Sequence, residues 1–267
     1  MGVITLSAID LVLATALVFL LAGASAAMRL GVGRRLVISA IRMTAQLLLI
    51  GLVLRTLFAH ARLGWILAMA VIMLLVAGRE VMARQQRRFR GWWGFGVGAT
   101  SMFISSFSIT VLALLAIVSP DPWYQPQYAI PLLGMLLGNT MNGISLSLDR
   151  LTQSAWEQRA VLEQRLMLGA TSEEAVCRIR RQSMRAALTP TINAMAAAGI
   201  VSLPGMMTGQ ILAGSPPFEA VKYQIMIILL IAGGAGFGSM GALFLASRRL
   251  FDARHRLRLD RLTAPRD

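Results

Sequence analysis

Apolar runs of about 20 residues, nearly free of charge, recur along the chain from its first residues to Ser247. A helix of that length spans roughly 30 Å of hydrocarbon. One such run can hide in a soluble core, but a chain of 267 residues with so many of them has no core large enough to hold them all. Composition agrees: 14% of residues are charged and 56% hydrophobic, against roughly 25% charged in soluble domains. The expected class is an all-α integral membrane protein forming one transmembrane domain over residues 1–267.

Seven spans are expected, running approximately Ile4–Met28, Leu36–Phe58, Leu63–Val81, Phe95–Val118, Ala129–Leu148, Leu188–Leu212 and Ala220–Ser247. The net charge of +14 sorts onto one side of this arrangement. Arg29, Arg34 and Arg35 follow span one. Arg84, Arg87, Arg88 and Arg90 follow span three. The segment 149–187 holds Arg150, Arg159, Arg165, Arg178, Arg180, Arg181 and Arg185, and a basic tail, 248–267, holds Arg248, Arg249, Arg254, Arg256, Arg258, Arg261 and Arg266. The other side has Arg55, Arg62 and Lys222. Basic loops stay in the cytoplasm, so the N-terminus is expected outside and the C-terminus inside. The same sorting argues against nucleic acid as a partner, and no aromatic platform for bases accompanies the arginines. Ala24-Ser-Ala26 resembles a signal-peptidase site, but no basic residue precedes the run and it is long for a signal sequence, so span one is expected to be retained.

The long polar segment 149–187 reads as two helices. Ala155, Leu162, Leu166 and Met167 recur at near-helical spacing, Gly169 suits a left-handed helix stop, and Thr171-Ser-Glu-Glu174 has the capping-box spacing that starts a second helix. Ala175, Val176 and Ile179 give that helix an apolar stripe. A helical hairpin protruding between spans five and six is either a plain connector or an element that a soluble partner grips.

Chemistry-bearing motifs are scarce. No phosphate-binding loop of the G-x4-G-K-[ST] type is present. His60 and His255 fall on opposite sides of the expected topology, and Cys177 is the single cysteine. No hydrolytic triad can be assembled, which argues against an enzyme and against a cofactor held by this chain.

Polar residues inside spans usually face a bundle interior or a cavity. Arg42 and Gln46 lie one turn apart in span two, where the arginine either lines a vestibule or reaches a helix end or a lipid phosphate. Ser101, Ser105 and Ser108 share a face of span four. Gly134, Gly138, Asn142 and Ser145 share one of span five, where Gly134-x3-Gly138 predicts close helix packing. Asn142 is the exception to a packing reading, because an amide is costly to bury. Gly234-x3-Gly238 in span seven predicts another tight contact, within the chain or between copies.

Span six is interrupted by Ser202-Leu-Pro-Gly-Met-Met-Thr-Gly209. Pro204 and Gly205 break a helix, and Thr189-Pro190-Thr191 marks the expected inner start of the span, where proline is tolerated. The break is expected in the outer half as a hinge or gate. Met206 and Met207 are gate lining or weak metal candidates; in a regular helix they point about 100° apart and cannot share an ion.

Several of these stretches together resemble one family. Glu163, Gly169 and Ile179 follow the spacing E-A-A-x3-G-x9-I-x-L-P of the cytoplasmic loop of ABC-transporter permeases, although Gln164 and Arg165 stand where that pattern has alanines and Arg181-Gln182 where it has Leu-Pro. The words Leu-Gly-Ala-Thr171, Ser-Met-Arg-Ala-Ala-Leu-Thr-Pro-Thr191, Gly199-Ile-Val-Ser-Leu-Pro-Gly-Met-Met-Thr-Gly209, Ile-Leu-Ala-Gly214 and Val-Lys-Tyr-Gln-Ile-Met226 closely resemble the FetB-type permeases. These are bacterial iron-export ABC permease subunits related to plant aluminium-tolerance membrane proteins. The resemblance implies an inner-membrane permease, in a two-plus-two complex with a FetA-like ATPase subunit that binds the ATP and magnesium. It also implies a role in metal homeostasis and oxidative-stress resistance. Glu163, Arg165, Gly169, Ala170, Thr171, Glu174 and Ile179 would then couple the ATPase to the spans. An ABC permease for another metal or an organic solute, and a secondary transporter, are the competing readings; the latter usually shows internal repeats and ionisable residues at mid-membrane.

Overall fold

The structure, a computed structural model, describes residues 7–59 and 62–264. Ile4, His60 and Arg266, which entered the expectations above, lie outside the described residues. The chain forms helices α1 (Ala8–Ala27), α2 (Gly33–Ala59), α3 (Leu63–Arg84), α4 (Trp93–Val118), α5 (Pro126–Glu157), α6 (Arg159–Met167), α7 (Ser172–Ala197), α8 (Gly205–Leu212) and α9 (Pro217–Arg249). Among the described residues there is no β-strand, only isolated bridges.

Six of these helices, α1 to α5 and α9, are long and apolar enough to cross a membrane. The sixth expected span, 188–212, already read as interrupted, is not among them. Residues 188–212 are not one helix but the last part of α7, a non-helical stretch and the short α8. The break also begins earlier than Pro204. Ala198 is extended, Gly199 has φ +84, and Ser202 to Pro204 stay extended or bridged before α8 starts. A left-handed glycine followed five residues later by a residue without an amide donor leaves no room for a helical turn between them.

Two further boundaries move. Span five does not stop at Leu148: α5 runs 32 residues from Pro126 to Glu157, so Ala155 belongs to it and not to a separate hairpin helix. Pro190 does not start a helix either. It lies inside α7, which runs unbroken from Ser172 to Ala197.

Both ends of the turn between α6 and α7 are built as the residues dictate. Gly169 has φ +92, its N–H donates to the Leu166 carbonyl, and the Ala170 N–H donates to that of Arg165. Those two bonds are the pair that closes a glycine-stopped helix. At the start of α7 the Thr171 hydroxyl accepts from the Glu174 N–H while the Glu174 carboxylate accepts from the Thr171 N–H at 2.8 Å. These bonds to Thr171 hold the Glu174 carboxyl below its ordinary range.

In lipid, helices gain little from hiding apolar surface against each other, so close backbone approach matters more. The α4–α5–α9 contact is built that way. A Cβ on Gly238 would sit 2.5 Å from Thr140 Cγ2 and 2.8 Å from Ser105 Oγ, and one on Gly143 would sit 2.8 Å from Ser239 Oγ. The tight glycines are thus Gly143, Gly234 and Gly238, and the contact is within the chain. Gly138, half of the predicted Gly134-x3-Gly138 pair, faces open space. In α4, π-helical turns at Phe103–Phe107 and Ala113–Val118 shift the helix phase, so Ser106 and Thr110 join Ser101 and Ser105 in the seam while Ser108 is exposed. A wider turn inserts a residue and moves everything after it off the expected face.

The tail is folded, not a loose basic extension. Leu250, Phe251 and Leu262 are buried in the same core as Phe89, Leu151 and Ile179. Backbone bonds tie it to the α3–α4 loop: the Arg90 N–H donates to the Arg261 carbonyl at 2.8 Å and the Thr263 N–H to that of Arg88 at 2.9 Å. His255 touches Ser172 at the start of α7. Within the tail, bonds from Arg256 and Arg254 hold the Asp252 carboxyl down to about 2.

Candidate functional site: a charged network and a broken helix

Three helices converge on one charged network. Arg42 of α2 donates to the Glu80 carboxylate of α3. Arg84, one turn further along α3, lies 4.0 Å from the other Glu80 oxygen and donates to the Asn142 carbonyl oxygen of α5. A carboxylate shared by two guanidiniums neutralises charge that a low-dielectric environment would penalise heavily. Two residues singled out in the sequence, Arg42 and Asn142, are thus joined through two that were not. The signal was available: an arginine inside an apolar run needs a counter-charge, Glu80 is the acid in the neighbouring span, and Arg84 follows it by four residues. Gln46 is exposed and stays outside the network.

Asn142 also faces a cavity of about 140 Å³ lined by Asn139, Gly143, Pro190, Thr191, Ala194 and Ile231 among others. Its walls are α5, the second half of α7 and α9, so the residues before the break share this cavity with the amide. A larger cavity, about 540 Å³ between α2 and α3, is almost purely apolar, bordered by Val53, Leu57, Trp65 and Met69, and suits acyl chains better than a solute.

Beyond the break, α8 leans on α9. Pro204, at the N-cap, offers no side-chain cap, and the deficit is met from outside: the Met207 N–H donates 3.3 Å to Gln224 Oε1 of α9. Capping bonds contribute about 1 kcal/mol, so Gln224→Leu is expected to detach the start of α8. Hydrogen exchange of the Met206–Gly209 amides should rise about fivefold with the global melting temperature nearly unchanged. Unaltered exchange in that variant would show that Gln224 does not hold the helix.

Met206 is half-buried against the cluster containing Ile130, Leu132 and Ile227. Met207 follows it in a regular helix, so the two thioethers diverge. No group of three His, Cys, Asp or Glu side chains converges among the described residues.

The α6–α7 turn carries the remaining predicted residues. Glu163 is exposed and Arg165 half-buried on α6, Gly169 and Ala170 form the turn, and Thr171 and Glu174 build the cap. Ile179 is 2% exposed and lies in the core beside Val176 and Leu151. At the tip Met167 and Leu168 are 81% and 80% exposed, a conspicuous apolar pair among charged neighbours.

An all-helical polytopic membrane protein with paired charges on its apolar helices and a protruding helical turn is the class these features define. The chain belongs to the uncharacterised protein family UPF0014, whose model matches residues 8–251. It is 39% identical over 193 residues to the UPF0014 membrane protein slr1647 of Synechocystis, covering 71% of this chain and 73% of that one. It is 34% identical over 222 residues to the "Probable iron export permease protein FetB" of Escherichia coli, covering 81% of each. It is also 31% identical over 222 residues to the protein ALUMINUM SENSITIVE 3 of Arabidopsis thaliana, 83% of this chain and 79% of the other. No solved structure matches. The family resemblance read from the words between Leu168 and Met226 is thereby shown.

Proposed function

We propose that this chain is the membrane subunit of an ABC exporter that moves iron out of the cytoplasm, driven by ATP hydrolysis on a separate FetA-like ATPase subunit. The observation that carries the reading is α7. One helix of 26 residues, about 39 Å long, links the exposed α6–α7 turn to the break at Ala198. A rigid rod between a protruding knob and a flexible joint converts a push on the knob into motion at the joint. Pro190 lies inside that rod beside the Asn142 cavity, so displacement of α7 changes the cavity directly.

In this reading the arginine-rich end is cytoplasmic, the N-terminus lies outside, and the membrane is the bacterial inner membrane. Residues 188–212 form a discontinuous seventh crossing. Supporting this, Leu188 lies near Gly236 of α9, Ala194 near Ile228 and Ile231, and Met207 against Gln224, so the segment tracks α9 in the opposite direction. Unwound backbone at membrane depth is tolerated where protein or a cavity surrounds it. Pro204 and Gly205 form the outer joint and Met206 and Met207 line it. Two copies pair with two ATPase subunits, and the exposed outer faces of α1 and α2 leave lateral surface for the second copy. Iron as cargo rests on the name of the Escherichia coli relative.

Gly169→Val tests the coupling. A branched side chain at φ +92 is strained by about 1–2 kcal/mol, so the turn shifts while the spans remain. Reconstituted with the ATPase subunit, the variant is expected to bind it but to lose most substrate-stimulated ATP hydrolysis and iron efflux from inverted vesicles. Full stimulation in a folded variant would remove the turn from the mechanism; retained stimulation by a solute other than iron would reassign the cargo.

A further inference from the structure

At the arginine-rich end lies a cavity of about 400 Å³ that the transport reading does not use. Its lining includes Arg87 and Arg90 from the α3–α4 loop, Trp156 and Arg159 from the α5–α6 junction, and Asp260 and Thr263 from the tail. The Arg87 guanidinium stacks 4.0 Å from the centre of the Trp156 ring, and that of Arg159 lies 5.6 Å from it. Among the described residues, none of the three lining arginines has a carboxylate partner. The lining carboxylate, Asp260, is taken by Arg258, which donates to both its oxygens at 2.9 Å, and that pairing holds the Asp260 carboxyl at about 2, ionised. The cavity therefore keeps a surplus of positive charge.

The positive-inside rule accounts for arginines on this side. It does not account for guanidiniums from separate parts of the chain meeting at one indole. Like charges brought together repel, and the chain holds them there with dedicated bonds. The Thr152 hydroxyl donates to the Arg87 carbonyl at 2.9 Å, and the tail is tied to Arg88 and Arg90 by the bonds described above. Each guanidinium presents a planar fork of donors that matches phosphate geometry.

Depth narrows the source. At 1.5 Å per residue the 32-residue α5 is about 48 Å long, against roughly 40–45 Å for a bilayer with its headgroups. With Pro126 near the opposite surface, Trp156 comes to the level of the headgroup phosphates, where indoles also concentrate.

We propose that Arg87, Arg90 and Arg159, arranged on Trp156, form a binding site for a phosphate group, seated in the cavity at headgroup level and supplied by an anionic phospholipid. This rests on the membrane reading and not on the ABC assignment. The shared chemistry is phosphate; a free phosphate ion is the other source that the experiment distinguishes.

The test uses the full chain in nanodiscs of mixed phosphatidylglycerol and phosphatidylcholine, with retained lipid read by native mass spectrometry. The wild type should keep phosphatidylglycerol preferentially. Arg87→Gln and Arg159→Gln should each weaken that preference roughly fivefold, while Arg178→Gln, an exposed charge on α7 outside the cavity, should leave it unchanged. In pure phosphatidylcholine discs, inorganic phosphate is titrated against tryptophan emission. A saturable response that vanishes in Trp156→Phe, without any lipid preference, would assign the site to a soluble phosphate. If a glutamine variant aggregates, the wild-type lipid competition decides alone. Equal retention of both lipids with no phosphate response overturns the site, as does an Arg178→Gln loss equal to that at Arg87.

Discussion

Glu80→Leu is expected to be the most damaging single substitution in the spans. It removes the carboxylate that both Arg42 and Arg84 approach. Arg84 ends α3 and can reach the interface. Arg42 is ten residues into α2 and is left inside lipid without a counter-charge, at a cost of about 3 kcal/mol. Expression in the membrane and the melting temperature in detergent should both fall sharply. Adding Arg42→Leu should recover most of the loss, because the double variant has neither charge to bury. That rescue separates a charge network from mere packing: a cavity left by Glu80 would be enlarged, not relieved, by losing Arg42. If the double variant is no more stable than the single one, the two residues are not coupled. Transport should remain impaired in the rescued protein if the network positions Asn142 at its cavity, since Arg84 then loses its second partner.

Gly238→Ala is the second large effect, and it needs only one methyl group. The new Cβ would lie 2.5 Å from Thr140 Cγ2 and 2.8 Å from Ser105 Oγ. Neither neighbour can retreat freely, because Thr140 and Ser105 are buried and the Ser105 hydroxyl is bonded to the Ser101 carbonyl. Forcing α9 away from α4 and α5 should cost about 2–3 kcal/mol, read as a drop in melting temperature. Thr140→Ser deletes the clashing methyl and keeps the hydroxyl that accepts from Ser106. The pair Gly238→Ala and Thr140→Ser should therefore regain part of the stability. Gly138→Ala is the internal control: nothing lies within 4 Å of its added Cβ, and alanine favours a helix over glycine, so its stability should be unchanged or slightly raised.

The contrast between Gly138 and Gly238 shows how far a spacing can be read. Both sit in small-x3-small patterns that permit close approach. Which pattern is used depends on what stands opposite, and that is set by the rotation of α5 and α9 about their axes. The π-helical turns in α4 add to this, since they replace Ser108 by Ser106 in the seam. Local signals fared differently. The glycine stop at Gly169 and the capping box at Thr171 and Glu174 appear where the residues specified them, because each is decided by bonds within a few residues.

The sequence by itself determined the membrane class, most of the long apolar helices, the asymmetry of charge, the turn between α6 and α7, and the family. Those properties follow from run length, composition and short-range bonding, which need no knowledge of neighbours. Tertiary structure alone decided the pairing of Arg42 with Glu80, the link to Asn142, the capping of α8 by Gln224, and the folding of the tail onto the α3–α4 loop. Each of these joins groups far apart in the chain, and their meeting depends on how whole helices rotate and slide against one another, which one-dimensional spacing does not encode.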